Sequence, residues 1–338
     1  MHPLAVPNPV RGLYANRAAV EGRDIWQLVD LARHSEVNAL VIDIKDDRGL
    51  LLYPSTVGLV HAIGADTAHP MAVARVHALL DSLRAHRIFP IARIVVARDP
   101  LLAARRPEWA LPRDSGGGSW VNPARPEVWA YAADLASEAA ARGFSEVLFD
   151  DLEYPGTTAA PPVDHSPGGA RARVRVLRNA LNFLRSRLDI PIAVGIAGAA
   201  AGDTTDPQWE TIAERADVIM PVTFPSAFVD GYDGVADPAA HPYEIANRVL
   251  MAARRRNASI RGAADIVPWY QGFTRGAPTY DSAEVRAQIQ AGYDNGIHSW
   301  MLWNPASTYP AAALHEPVRR DTAKAKKPRP ARPAHRRH

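Results

Sequence analysis

Cysteine is absent from all 338 residues, which excludes disulfides, iron–sulfur clusters, thiolate zinc sites and a cysteine nucleophile. The redox compartment stays open, since a chain without disulfides suits either side of a membrane. No apolar run reaches the length of a membrane-crossing helix, so no membrane span is expected. Met1 to Val10 lacks a charged region followed by an apolar stretch and a cleavage site, so no leader is read there. The His-Glu-x-x-His pattern is missing and the 12 histidines are scattered, so no metal centre is expected. No cofactor is expected either, because Gly116-Gly117-Gly118 is not followed by the Lys-Ser/Thr of a phosphate loop. Ser226 and Ser307 lack the Gly-x-Ser-x-Gly elbow of a hydrolase nucleophile.

What is present is an ordinary globular composition, 47% hydrophobic and 22% charged, enough to bury a substantial core. The net charge of +3 is unevenly divided. Residues 319–338 carry nine Lys or Arg against Asp321, a net of +8, which leaves residues 1–318 at −5. With Pro328, Pro330 and Pro333 and no large apolar residue, that stretch is expected to be a disordered basic tail after a single domain over residues 1–318. Its functional reading is contact with an anionic polymer; its bland reading is a solvated tail. Apart from the tail, no basic stripe with interleaved aromatics is read, so specific nucleic-acid binding is not expected.

Between residues 10 and 304, short β-rich runs alternate with helical patterns. The strand candidates are Arg11–Ala15, Ala39–Ile44, Phe89–Ile94, Glu146–Asp150, Ile192–Ile196, Val218–Val222, Asp265–Tyr270 and Ser299–Trp303. Each is a nearly continuous apolar run, as a parallel strand covered on both faces requires. Helices are expected over 24–33, 70–86, 126–142, 170–187, 207–215, 242–256 and 282–295, and a short eighth over 311–318. Asp206-Pro207, His241-Pro242 and Asp281-Ser282 read as helix starts, and Gly143 and Gly296 as stops. Eight βα units of about 35 residues favour an α/β fold of the (β/α)8 TIM-barrel type over an open doubly wound sheet. The long segments 101–120 and 156–169 then fall on the C-terminal rim, where barrel enzymes place their sites.

The strand ends supply the chemistry. Asp43, Lys45, Asp46 and Asp47 follow the second strand, Arg93 and Asp99 the third, and Asp150, Asp151 and Glu153 the fourth. Glycoside hydrolysis needs two carboxyls flanking the scissile bond, one a proton donor and the other a nucleophile or base. Each acid alone could instead cap a helix or pair with arginine, and Asp46 and Asp47, ahead of Gly49, look like turn residues. Trp120, Trp269 and Trp303, near Tyr14, offer planes for sugar C–H faces, and Gln271, Asn16 and Asn304 offer amides for hydroxyls. The bland alternative is that the tryptophans are core.

The chain also resembles a family. The blocks RGLYAN (11–16), NALVIDIKDDRGLLLY (38–53), IARIVVARDPLLAARRPEWA (91–110), WVNPARPEVWAY (120–131), GFSEVLFDDLEYP (143–155), MPVTFPS (220–226), VPWYQGFT (267–274) and EVRAQIQAGYDNGIHSWMLWNP (284–305) occur in order. Together they resemble a bacterial TIM-barrel family long catalogued as a domain of unknown function and assigned to the glycoside hydrolases. The resemblance implies a polysaccharide or oligosaccharide substrate and a catalytic acid at Asp150. Its relatives are often exported, so envelope, extracellular and cytoplasmic placements stay open. Three departures stand out: Asp151 and Glu153 replace a tyrosine and an arginine, the segment 220–227 keeps its frame but lacks the usual tyrosine hydroxyl (Phe224) and histidine (Ala227), and Gly272 replaces an acid. They leave two expectations. One is a glycoside hydrolase with Asp150 as nucleophile or charge stabiliser, Glu153 or Asp43 as acid/base, and Tyr14, Lys45, Arg93, Trp120, Asp151, Trp269, Gln271, Trp303 and Asn304 binding substrate. The other is a carbohydrate-binding barrel that has lost turnover.

Overall fold

The structure is a computed structural model, and it describes residues 3–112, 118–152 and 169–315. Nine strands, β1 (Arg11–Ala15), β2 (Ala39–Lys45), β3 (Phe89–Val95), β4 (Glu146–Asp150), β5 (Ile192–Ala197), β6 (Val218–Val222), β7 (Asp265–Ile266), β8 (Trp269–Gln271) and β9 (Trp300–Trp303), form one parallel sheet. Pairings run from β1 through β2, β3, β4, β5 and β6, then through β7 and β8 to β9, and β9 returns to β1. The sheet is therefore a closed (β/α)8 barrel, and β7 and β8 are two halves of its seventh stave. The single run expected over 265–270 breaks at Val267-Pro268 because proline has no amide for the ladder.

Side chains on a strand alternate in direction, so each stave contributes every second residue to the barrel interior. Tyr14, Val41, Ile91, Leu148, Ala193, Met220, Trp269 and Met301 form that inner cluster, while Leu13, Ile42, Ala92, Phe149, Val194, Ile219 and Leu302 pack outward against the helices. Leu4 closes the lower end: it packs on the inner cluster and its amide donates to Ser145 Oγ at 2.9 Å.

The helices start and stop where local chemistry demands. Asp281 and Glu284 form a reciprocal capping box at the start of helix Ser282–Asp294. Helix Pro126–Arg142 ends at Gly143, whose φ of 114° lies in the left-handed region that favours glycine. Two expectations change. A six-residue helix, Gly58–Ile63, lies in the segment after β2, too short to show a period in sequence. The eighth helix shrinks to a 3-10 turn, Ala311–Leu314. Among the described residues, no helix is long and apolar enough to cross a membrane. Glu153, most of segment 156–169, and the tail 319–338 lie outside the described residues.

Candidate active site

The alternation that fills the barrel also builds its mouth. One step above Val41, Ile91 and Leu148 stand Asp43, Arg93 and Asp150, each at the upper end of its strand. Beside them Tyr14, Val222, Trp269 and Trp303 complete the ring, and a cavity of about 380 Å³ opens above it. Phe224, Asp47, Arg98, Asp151 and Pro305 form the rest of its wall.

Arg93 organises the floor. Its Nη1 donates to Asp43 Oδ1 at 2.8 Å and its Nε to Asp150 Oδ2 at 2.8 Å. Asp43 Oδ2 accepts from the Tyr14 hydroxyl at 2.5 Å. Burial pushes the Asp43 carboxyl up, while Arg93 and the Tyr14 hydroxyl hold it back. Burial opposes the charge on Arg93, yet Asp43 and Asp150 outweigh it and raise its pKa, so the guanidinium stays charged at any working pH. Burial and the neighbouring Asp43 charge likewise raise the Tyr14 phenol, which therefore remains a hydrogen-bond donor.

Asp150 is fixed from both sides. Its second oxygen, Oδ1, accepts the Asp151 amide at 3.0 Å. Gly195 on β5 makes room for that oxygen: a Cβ there would stand 2.2 Å from Asp150 Oδ1. Asp151 has a φ of 48°, a strained conformation for a residue other than glycine. Its carbonyl holds it in place by accepting from the Ala97 amide at 2.9 Å.

Aromatic rings line one side. Tyr14 and Trp303 stack with centroids 3.7 Å apart and planes 13° from parallel, and the Arg93 guanidinium lies 4.8 Å from the Trp303 centroid. Trp269 meets Trp303 edge to face at 5.5 Å and is 1% exposed, so its ring is wall and offers no open stacking face. Phe224 stands tilted at 6.5 Å from Trp303.

Asp43, Arg93, Asp150, Asp151, Tyr14, Trp269 and Trp303, all singled out in sequence, thus line one cavity. Four other expected residues are occupied elsewhere. Lys45 shares the inward parity of Asp43, but the β2–β3 register shifts between them. Its ammonium is buried against Asp99 at 2.8 Å and the Val95 carbonyl at 2.5 Å, away from the cavity. Gln271 is fully buried, its Oε1 accepting from Ser226 Oγ at 2.9 Å and its Nε2 donating to the Phe273 carbonyl at 2.8 Å. Asn304 ties two loops through the Gly272 and Thr308 carbonyls, both at 2.7 Å. Trp120, half-buried, forms a backbone bridge with Arg98 and is not among the residues that line the cavity. Sequence reasoning missed Gly195, Phe224 and the rim pair Arg98–Asp47, 3.1 Å apart. Strand parity at Gly195 was the one signal that could have found any of them.

The fold is shared with several solved structures. The glycoside hydrolase domain of PgaB (BpsB) from Bordetella bronchiseptica aligns over 91% of this chain and 99% of its own, with 13% identity and a TM-score of 0.61. The Flavobacterium johnsoniae chitobiase aligns over 90% of this chain and 47% of its own, with 12% identity and a TM-score of 0.58. An exo β-N-acetylglucosaminidase from Vibrio harveyi, in complex with N-acetylglucosamine, aligns over 93% and 55%, with 14% identity and a TM-score of 0.54. At such identities the likeness shows the barrel alone. Among curated proteins, none matches the sequence. The family described as "Putative glycosyl hydrolase domain" matches residues 12–309, and the chain belongs to that family.

Proposed function

We propose that this protein is a glycoside hydrolase acting on an oligosaccharide or polysaccharide at the barrel mouth. The observation that carries the reading is the Asp150 carboxylate, held by Arg93 at 2.8 Å and facing a cavity of about 380 Å³. That volume lies within the range of small-ligand sites, about 300–1,000 Å³. A carboxylate is the group that attacks an anomeric carbon or stabilises its developing positive charge, and the Arg93 guanidinium fixes the orientation of this one. Asp150 is therefore the nucleophile or charge stabiliser.

The proton donor must be a second carboxyl on the same wall. Asp43 has one oxygen on Arg93 and the other on Tyr14, so it acts as a positioning residue for both. Asp151 lines the cavity one residue beyond Asp150 and takes the donor role in this reading, with Glu153, two residues further along the sequence, as its competitor. Trp303 and Phe224 supply apolar surface for a sugar ring.

A second reading, binding without turnover, draws support from the fixed position of Asp150, whose two oxygens each accept one hydrogen bond from the protein. One experiment separates the two. Wild type, Asp150→Asn and Asp151→Asn are assayed on a glycan panel that begins with N-acetylglucosamine oligosaccharides. Hydrolysis predicts product from wild type and a loss of about a thousandfold in kcat for Asp150→Asn. No product from any form, with equal glycan affinity for all three, leaves the binding barrel.

A further inference from the structure

The helix that follows β4, Gly169–Arg187, contains six arginines and no aspartate or glutamate. This is unusual in a chain whose residues 1–318 sum to −5; helix Pro126–Arg142, for comparison, carries Glu127, Asp134 and Glu138. Its buried side is apolar, made by Val174, Leu177, Ala180, Leu181 and Leu184. Three of the arginines have local partners: Arg173 pairs with Asp206, Arg185 with Asp217 at 2.8 Å, and Arg187 with Asp134 at 2.9 Å. The other three, Arg171, Arg175 and Arg178, are exposed. Among the described residues no ion pair or side-chain hydrogen bond is made by any of the three. Steps of four and three residues put them in one row on one face, spanning about 10 Å.

We propose that this row is a binding surface for a polyanionic polysaccharide, with Arg171, Arg175 and Arg178 each meeting a carboxylate or other anionic group of the chain. Three observations favour that occupant. A helix in a βα unit runs back down the barrel from the mouth, so the row, in the first half of this helix, lies toward the end that holds Asp150. Guanidinium groups match carboxylate geometry with paired donors, so a row with no ion-pair partner among the described residues selects an anionic polymer. Among the described residues the exposed large apolar ones, Val6, Trp26, Val229 and Met251, lie on other elements, and Phe183 on this helix is half-buried. A lipid surface would lack a wedge here, and nucleic-acid bases would lack a stacking plane. The choice of a polysaccharide rests on the glycan reading of the mouth, but the binding itself does not depend on turnover.

The test uses the full chain, so that the basic residues 319–338 are common to every sample. Wild type, the triple variant R171Q/R175Q/R178Q and Asp150→Asn are compared for binding to polygalacturonate, neutral dextran, a single-stranded oligonucleotide and phosphatidylglycerol vesicles. Wild type should bind polygalacturonate in a salt-sensitive manner and leave dextran unbound. The triple variant should bind polygalacturonate about tenfold more weakly, with an unchanged melting temperature, and Asp150→Asn should match wild type. If the triple variant is unstable, Arg175→Gln alone should weaken binding about twofold. Equal affinity of wild type and the arginine variants overturns the proposal, as does tighter wild-type binding to the oligonucleotide or the vesicles than to polygalacturonate. Loss of hydrolysis in Asp150→Asn with retained polygalacturonate binding keeps the fate of the cleft reading separate from that of the arginine row.

Discussion

Two acids on one strand have opposite surroundings. Glu146 opens β4 at the bottom of the barrel and Asp150 closes it at the mouth, and strand parity turns both inward. Glu146 is 2% exposed, and burial, with a smaller push from Asp217, raises its carboxyl to about 8. Among the described residues no cation pairs with it. Asp150 has the Arg93 guanidinium at 2.8 Å and open space above. The same side-chain chemistry therefore gives a carboxyl whose pKa burial raises at one end and a carboxyl held by a guanidinium over a cavity at the other. What separates them is the countercharge, not the depth of burial alone.

Removing that countercharge should have the largest effect. Arg93→Met leaves Asp43 and Asp150 facing each other without their cation, and a broken buried pair costs about 3–5 kcal/mol. Urea unfolding at neutral pH should show a loss of that order, and adding Asp43→Asn should recover part of it. A double variant no more stable than the single one would mean that Arg93 matters by packing on Trp303 and Tyr14 rather than by charge.

The bottom of the barrel predicts the opposite sign. The folded-state pKa of Glu146 is about 8 against an ordinary 4.5, so between those values the unfolded chain has released a proton that the folded chain retains. Stability contributed at this site is intact below about pH 4.5 and falls as pH rises toward 8, by at most about 1.4 kcal/mol per pH unit. Glu146→Gln should flatten the profile and stabilise the protein at pH 8 by up to about 4 kcal/mol relative to wild type. The check is unfolding of both forms at pH 5 and pH 8; a variant less stable than wild type at pH 8 would show that Glu146 is ionised and paired.

Gly195→Ala probes the mouth without changing any charge. The added methyl would stand 2.2 Å from Asp150 Oδ1, so the carboxylate must swing away from its bond to the Asp151 amide. A displacement of about 1 Å at a reacting group costs about a hundredfold. If hydrolysis is established, kcat should fall by that factor with KM little changed; a change confined to KM would place Asp150 in binding rather than chemistry.

The fold and the mouth were legible in sequence to different degrees. Periodicity located β1, β4 and β6 to the residue, because apolar runs bounded by turns record the burial of both sheet faces. Asp43, Arg93 and Asp150 were selected as strand-end residues, and in the barrel they continue the inward-facing positions of Val41, Ile91 and Leu148 past the apolar core. Lys45 was misread because a register shift between neighbouring strands leaves no mark in either strand's own pattern. Gln271 and Asn304 were misread because a polar side chain near a strand end serves loop carbonyls as readily as a ligand. Gly195 passed unnoticed because what it provides is space for another residue's carboxylate, a pairwise property that only the packed barrel displays.

The smallest effect belongs to the outermost charges of the mouth. Arg98 and Asp47 form an ion pair at 3.1 Å, with side chains 49% and 46% exposed. Water competes for both groups, so Arg98→Ala should change stability by less than about 0.5 kcal/mol. That change should disappear in 1 M salt, where screening acts over about 3 Å. The cost of Arg93→Met should survive the same salt, because its partners are buried beyond the reach of counterions. Unfolding both variants at low and high salt therefore tests the distinction within a single cavity wall: a salt-sensitive Arg93 would mean that the floor is as wet as the rim, and Asp150 would lose the dry, fixed countercharge on which its proposed role depends.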